Sequence, residues 1–260
     1  MSESQVELCA RAIAERLGEQ SVVVVLTGAG LSAESGLPTF RGAGGLFSDP
    51  ELFRAFTAEM LRLAPRAWWE VFQRVRELLT EVRPNPAHTA LSDLEDLLRP
   101  HLRLVVITQN VDGLHQAAGS RRVLELHGSA RRYYCTCCGQ PHAFLPEHIV
   151  ELPPRCACGG VIRPAVVLFG EAVPDDVWQE AYAAVQRASV MLVVGTSLQV
   201  EPAASLPAIA LYNRALVIEV NRETTPLSGA ARFSFRALAS HLLPLLVERL
   251  RGLLRQKMAS

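Results

Sequence analysis

The chain has 260 residues, 49% hydrophobic and 20% charged, enough to bury a substantial core in one large domain with a small appendage. Lys plus Arg and Asp plus Glu are equal at 26 each, so no global field draws in nucleic acid or an acidic membrane. The polar, acidic start Met1-Ser2-Glu3-Ser4-Gln5 is unlike a secretory signal, and apolar runs such as 22–26 and 190–194 are strand-sized rather than membrane-sized.

Residues 3–18 have helical periodicity, with Val6, Ala10, Ile13, Ala14 and Leu17 on one face and Cys9 as a buried, inert thiol. Four apolar, β-branched runs, 22–26, 104–107, 191–194 and 216–220, then read as buried parallel strands. The first runs into Thr27-Gly28-Ala29-Gly30 and the second into Thr108-Gln109-Asn110-Val111-Asp112. Gly195-Thr196-Ser197 follows the third and Asn221-Arg222-Glu223 the fourth. Ligands of open α/β sheets bind outside the carboxyl ends of the strands, where such residues gather. The pattern predicts an α/β fold: a doubly wound, parallel, Rossmann-like sheet with a small zinc-binding and helical domain formed by two insertions. The expected dinucleotide-binding domain takes 1–40, 86–128 and 164–260. The insertions are 41–85, helical and carrying Trp68, Trp69 and Phe72, and 129–163, carrying the cysteine pairs.

Those pairs have the spacing of zinc knuckles. Cys135-Thr136-Cys137-Cys138 is followed by Gly139 for a tight turn, and 17 residues separate it from Cys156-Ala157-Cys158. The second knuckle is one residue short, which Gly159-Gly160 can relax. The expected ligands are Cys135, Cys138, Cys156 and Cys158, with Cys137 open as a substitute for a neighbour; a disulfide or chance clustering is the bland alternative. Four thiolates close the shell of a zinc ion, so the metal is expected to be structural. Thiols of this type without a secretion signal point to the reducing cytoplasm. His127, in Leu126-His127-Gly128, lies outside the quartet and is free for chemistry.

Gly28-Ala29-Gly30-Leu31-Ser32-Ala33 follows a strand and fits the glycine-rich phosphate fingerprint. In a dehydrogenase a second strand ending in an acidic residue should come about twenty residues later. Here the chain runs instead into the turn-rich Ser35-Gly36-Leu37-Pro38-Thr39-Phe40-Arg41-Gly42, which argues against simple hydride transfer.

The whole stretch from Gly28 to Gly42 resembles the signature of the sirtuins, the NAD-dependent protein deacylases. Thr108-Gln109-Asn110-Val111-Asp112-Gly113-Leu114-His115, Leu126-His127-Gly128 and the cysteine quartet are similar to the family's further motifs. So are Arg163-Pro164-Ala165-Val166-Val167-Leu168-Phe169-Gly170-Glu171 and Gly195-Thr196-Ser197-Leu198, all in family order. The resemblance implies NAD as co-substrate, one structural zinc, and acylated-lysine proteins or peptides as partners, with neither a specific nucleic acid nor a membrane. It implies attack of the acyl oxygen on the ribose carbon bearing nicotinamide, then transfer of the acyl group to the sugar and release of free lysine.

Residue roles follow from the same resemblance. His127 would be the general base for a ribose hydroxyl, and its pKa range suits that task. Asn110 and Asp112 would order the nicotinamide ribose, a water and the nicotinamide amide, with Gln109 on the ribose. Phe40 would cover the nicotinamide end and Arg41 would pair with a phosphate. Gly28, Ala29, Gly30 and Ser32 would belong to the phosphate loop. Gly195, Thr196 and Ser197 would contact phosphate and ribose; Asn221, Glu223 and Ala239 would complete the cofactor site. Val167, with Phe169 nearby, would offer backbone groups to an extended peptide.

Thr39 and the segment Asn221-Arg222-Glu223-Thr224-Thr225-Pro226 resemble the branch that removes succinyl and malonyl groups. That branch reads the acyl carboxylate with a Tyr-x-x-Arg pair, and the matching positions here are Phe72 and Val75, which cannot bind a carboxylate. Arg74 and Arg76 flank them, but one residue along a helix turns the side chain by about 100°. An apolar Phe72/Val75 lining suits acetyl or a longer aliphatic acyl group, with desuccinylation, demalonylation and long-chain deacylation as alternatives. Other rivals are protein ADP-ribosylation on the same fold, a non-enzymatic zinc module and a dehydrogenase.

Overall fold

The computed structural model describes residues 3–39, 53–54, 56–99, 103–143, 149 and 151–259. Among them the strands are β1 Val22–Thr27, β2 Arg103–Thr108, β3 Val123–Glu125, β4 Gly128–Cys135, β5 Pro141–His142, β6 Ile162–Val166, β7 Ala188–Val194, β8 Leu216–Asn221 and β9 Phe233–Arg236. Six form one sheet in the order β3-β2-β1-β7-β8-β9, and every pairing in it is parallel. The chain leaves β1 toward β2 and β3, then returns to its other side for β7, β8 and β9. The switch point of this doubly wound sheet therefore lies between β1 and β7.

Alternation along each central strand divides two cores. Val23, Val25, Val106, Val190 and Leu192 face one of them, with helices Glu3–Arg16, Pro86–Leu98 and Ala239–Ala259 as its cover. Val24, Leu26, Val105, Ile107, Met191 and Val193 face the other, covered by Asp175–Gln186 and Leu206–Tyr212. Both faces are dry, which is why these strands are continuous apolar runs. The edge strands β3 and β9 escaped the sequence reading. One is three residues long, and the other alternates Phe-Ser-Phe-Arg with one face wet.

A second, antiparallel sheet, β5-β4-β6, carries the cysteines. It packs against Ala58–Leu63 and Pro65–Glu81 around a third core containing Trp68, Trp69, Phe72, Tyr133, Cys135, Cys156 and Ile162. The Trp69 indole N–H donates to the Ile162 carbonyl at 2.9 Å, and its ring stacks 6.3 Å from Tyr133. Residues of the two insertions thus share one core. No helix among the described residues is long and apolar enough to cross a membrane.

Candidate active site

Where the strands end, the backbone closes into a cradle. The N–H of Gly28 donates to the Val194 carbonyl at 3.2 Å and that of Gly30 to the Gly195 carbonyl at 2.8 Å. A Cβ on Gly30 would sit 2.8 Å from the Gly195 oxygen, and one on Gly195 only 2.3 Å from the Leu31 nitrogen. Only glycines permit this crossing, and Gly195 also holds a φ of +61°. Above it opens a cavity of about 910 Å³.

The cavity wall brings together nearly every predicted residue: Gly28, Ala29, Gly30, Ser32, Gln109, Asn110, Asp112, His127, Val167, Phe169, Gly195, Thr196, Ser197, Asn221 and Glu223, with Phe72 and Val75. Ala239 does not line it; this alanine opens the C-terminal helix, buried in the core. Phe40 and Arg41 lie outside the described residues.

His127 is half-buried between the two sheets, and its own carbonyl accepts the Val167 N–H at 2.8 Å. The ring's Nδ1 lies 3.0 Å from the Gln109 carbonyl. A carbonyl can only accept, so Nδ1 carries the proton and Nε2 keeps a lone pair. Burial lowers the pKa, outweighing the Gln109 bond that raises it. The next residue, Gly128, has φ +72°, and a Cβ there would lie 1.9 Å from the Ala165 oxygen, so glycine is required beside this histidine.

Past the ends of β1 and β2 runs a directed chain of buried hydrogen bonds. The Asn110 amide donates to the Gly28 carbonyl at 3.1 Å and to Ser32 Oγ at 3.0 Å. The Ser32 hydroxyl donates to Asp112 Oδ2 at 2.7 Å, while Asp112 Oδ1 accepts the Leu114 N–H at 2.9 Å. Ser32, predicted only as part of the phosphate loop, is therefore also the link between Asn110 and Asp112. On the other side Thr196 joins three strand ends: its Oγ1 accepts from Gln109 at 2.8 Å and its carbonyl from Asn221 at 2.7 Å.

Part of the cavity wall is apolar and belongs to the third core. Trp68, Phe72, Val75, Leu78, Leu79 and Val111 line it, with Trp68 and Phe72 stacked at 5.0 Å. Neither Arg74 nor Arg76 is among the described lining residues; the Arg76 guanidinium sits 5.6 Å from the Tyr133 ring centre. The predicted peptide segment is held from behind. The Phe169 N–H donates to the Phe56 carbonyl at 2.9 Å and its carbonyl accepts from Ala58 at 3.0 Å. Buried Arg163 grips the same loop, with its terminal nitrogens 2.5 and 3.0 Å from the two Glu171 oxygens and 2.7 Å from the Val166 carbonyl. Arg163 and Glu171 stood inside a quoted motif, but nothing in their spacing announced this pair.

The sulfurs of Cys135, Cys138, Cys156 and Cys158 all lie within 4.8 Å of one another, with 3.4 Å between Cys135 and Cys158 and 3.8 Å between Cys138 and Cys156. Tetrahedral zinc with bonds of about 2.3 Å needs sulfurs about 3.8 Å apart, so the donor set fits that ion. The short second knuckle closes as well as the long one, and Cys137, exposed, is not in the group. The strand-end crevice fits a dinucleotide on equal grounds: a glycine cradle at the switch point, polar strand ends, and room beyond them.

Fold and site together define an α/β protein with a dinucleotide crevice, an unprotonated histidine nitrogen beside it and a four-thiolate small domain. A Sir2 family profile matches residues 28–202, and the chain belongs to that family. It is 47% identical over 243 residues to the NAD-dependent protein deacylase of Mycobacterium tuberculosis, covering 90% of this chain and 99% of that protein. Its structure is similar to a Sir2 homologue mutant in complex with ADP-ribose, with TM-score 0.87 and 40% identity over 96% of this chain and 98% of that one. A Sir2–p53 peptide–NAD+ complex matches with TM-score 0.77 and 33% identity, over 95% and 98% of the two chains.

Proposed function

We propose that this protein removes acyl groups from protein lysines, consuming NAD and yielding nicotinamide and O-acyl-ADP-ribose. The observation that carries the reading is His127, whose Nδ1 is committed to a carbonyl so that Nε2 is an open base on the cavity wall. Curated relatives named for the same activity support it.

Bound NAD supplies an electrophilic ribose carbon with nicotinamide as leaving group, and a hydroxyl that receives the acyl group. His127 accepts a proton at Nε2, the task its lowered pKa suits. The chain from Asn110 through Ser32 to Asp112 holds two polar side chains rigid toward the ribose. The glycine cradle and Thr196 receive the phosphates, with Asn221 and Glu223 toward the adenosine. Val167 and Phe169 lie along the acylated peptide. The apolar wall takes the acyl chain and excludes water that would hydrolyse the dinucleotide. In this reading the NAD-binding unit comprises 1–40, 86–128 and 164–260, while 41–85 and 129–163 form the small unit. Its thiolates require a reducing compartment such as the cytoplasm.

Phe72 and Val75 line the cavity while, among the described residues, neither Arg74 nor Arg76 does, which favours uncharged acyl groups. The test is a parallel incubation with NAD and one lysine peptide carrying acetyl, butyryl, myristoyl or succinyl, read by mass spectrometry. Uncharged peptides should give nicotinamide, O-acyl-ADP-ribose and free lysine, and His127→Ala should cut steady-state formation of O-acyl-ADP-ribose and free lysine by about 10²–10⁴-fold. A succinyl preference would overturn the apolar assignment. ADP-ribose on protein with no acyl turnover would replace deacylation by ADP-ribosyl transfer.

A further inference from the structure

After β8 the chain runs from Asn221 to Pro226 along the cavity wall, and Arg222, Glu223 and Thr224 are exposed. Exposed polar residues give a loop no core of its own, so its shape must come from elsewhere. Its start is held by Asn221, which donates to the Thr196 carbonyl at 2.7 Å and accepts the Arg222 N–H at 2.9 Å, and its end by Glu219, a fully buried carboxylate inside β8. One of its oxygens accepts the Thr225 hydroxyl. The other accepts the Ser228 hydroxyl at 2.8 Å, the Ser234 hydroxyl at 2.5 Å and both terminal nitrogens of Arg236 at 3.1 Å. Ser228 Oγ also accepts the Thr225 N–H at 2.8 Å, which closes the turn. A buried charge is stable only when bonded in this way, and here two of its donors belong to the turn that ends the cavity loop. Neither Glu219 nor Ser228 lines the cavity.

We propose that Glu219 is a positioning residue that sets affinity for the adenosine end of the dinucleotide, acting through the Thr225–Ser228 turn on the loop carrying Asn221 and Glu223. The inference rests on the NAD reading above. It predicts that loosening the turn weakens the nucleotide and leaves the peptide side, built by Arg163 and Glu171, untouched.

The experiment is calorimetric titration of ADP-ribose into wild type, Ser228→Ala and Glu219→Gln, with the peptide KM measured at saturating NAD and the melting temperature recorded. The dissociation constant should rise about fivefold in Ser228→Ala and about tenfold in Glu219→Gln, the scale of one net hydrogen bond. The peptide KM should not move. Wild-type binding with unchanged affinity in a folded Ser228→Ala would overturn the proposal, as would a parallel rise in the peptide KM, which marks general loosening. If Glu219→Gln does not fold, Ser228→Ala decides alone. Failure of wild type itself to bind ADP-ribose would remove the NAD reading instead, a result distinct from the others.

Discussion

The tautomer of His127 is set by a group that has no proton to give. With Nδ1 held 3.0 Å from the Gln109 carbonyl, the ring meets the cavity only as an acceptor until it is protonated. Burial lowers its pKa, so the neutral base persists to lower pH than an exposed histidine near 6.5 allows. The acid limb of kcat/KM for acyl transfer should therefore fall with a midpoint below about 6.5. A midpoint at or above that value would mean that another group controls the rate. Replacing the ring by alanine should cut turnover by about 10²–10⁴-fold, the range for a general base, while calorimetric ADP-ribose binding persists. Loss of binding in step with turnover would make His127 a binding residue instead. Cys9, by contrast, is pushed up to about 12 by burial and should resist alkylation until the chain unfolds.

The small sheet is the element most dependent on something outside the polypeptide. Cys135 and Cys156 belong to the core that buries Trp68 and Trp69, so withdrawing zinc opens that core from one side. Chelation should red-shift tryptophan emission while much of the helical circular dichroism remains, because the parallel sheet and its helices have cores of their own. Unchanged emission after complete metal removal would show that the sheet stands without the ion. The same contrast explains what could be read in advance. The four central strands were legible because both faces are dry and their runs are apolar but for Glu219, and the cysteine quartet because ligand spacing is local. The partners of Ser32 were not legible, since Asn110 and Asp112 come 78 and 80 residues later and meet it only when β1 and β2 pair. Glu219 escaped for a like reason: its donors come from a turn and an edge strand, and an acidic residue in an apolar run gives no hint of them. The strand-end crevice was legible because there the pattern breaks from apolar to polar at one level of the sheet, whereas the roles of its residues came from the family resemblance.

At the scale of the molecule, two buried histidines tie stability to pH. His88 and His115 are essentially without exposure, with ring centres 5.0 Å apart, under the same strand ends that carry the site. His88 Nδ1 accepts the Asn85 N–H at the start of helix Pro86–Leu98, and His115 Nε2 lies 2.9 Å from Thr27 Oγ1. Burial lowers His88 to about 4, against the opposing pull of Asp112 and Glu34. It lowers His115 to about 3, with His88 adding to the effect. Both values lie below the unfolded value near 6.5, so on acidification the unfolded chain binds protons that the native one refuses. Their contribution is whole above about pH 6.5 and is lost as pH falls from there toward the folded values. Between about pH 6.5 and 5 this amounts to on the order of 2 kcal/mol for each ring, against a total stability of about 5–15 kcal/mol. Most carboxylates stay ionised in that window, so the histidines dominate the slope. The melting temperature should fall markedly from pH 7 to 5, and ADP-ribose binding should weaken where the fold begins to open. His115→Gln should melt lower at pH 7 yet lose less on acidification, because the protonation penalty of that ring is gone. An identical slope in wild type and His115→Gln would show that acid sensitivity lies elsewhere in the chain.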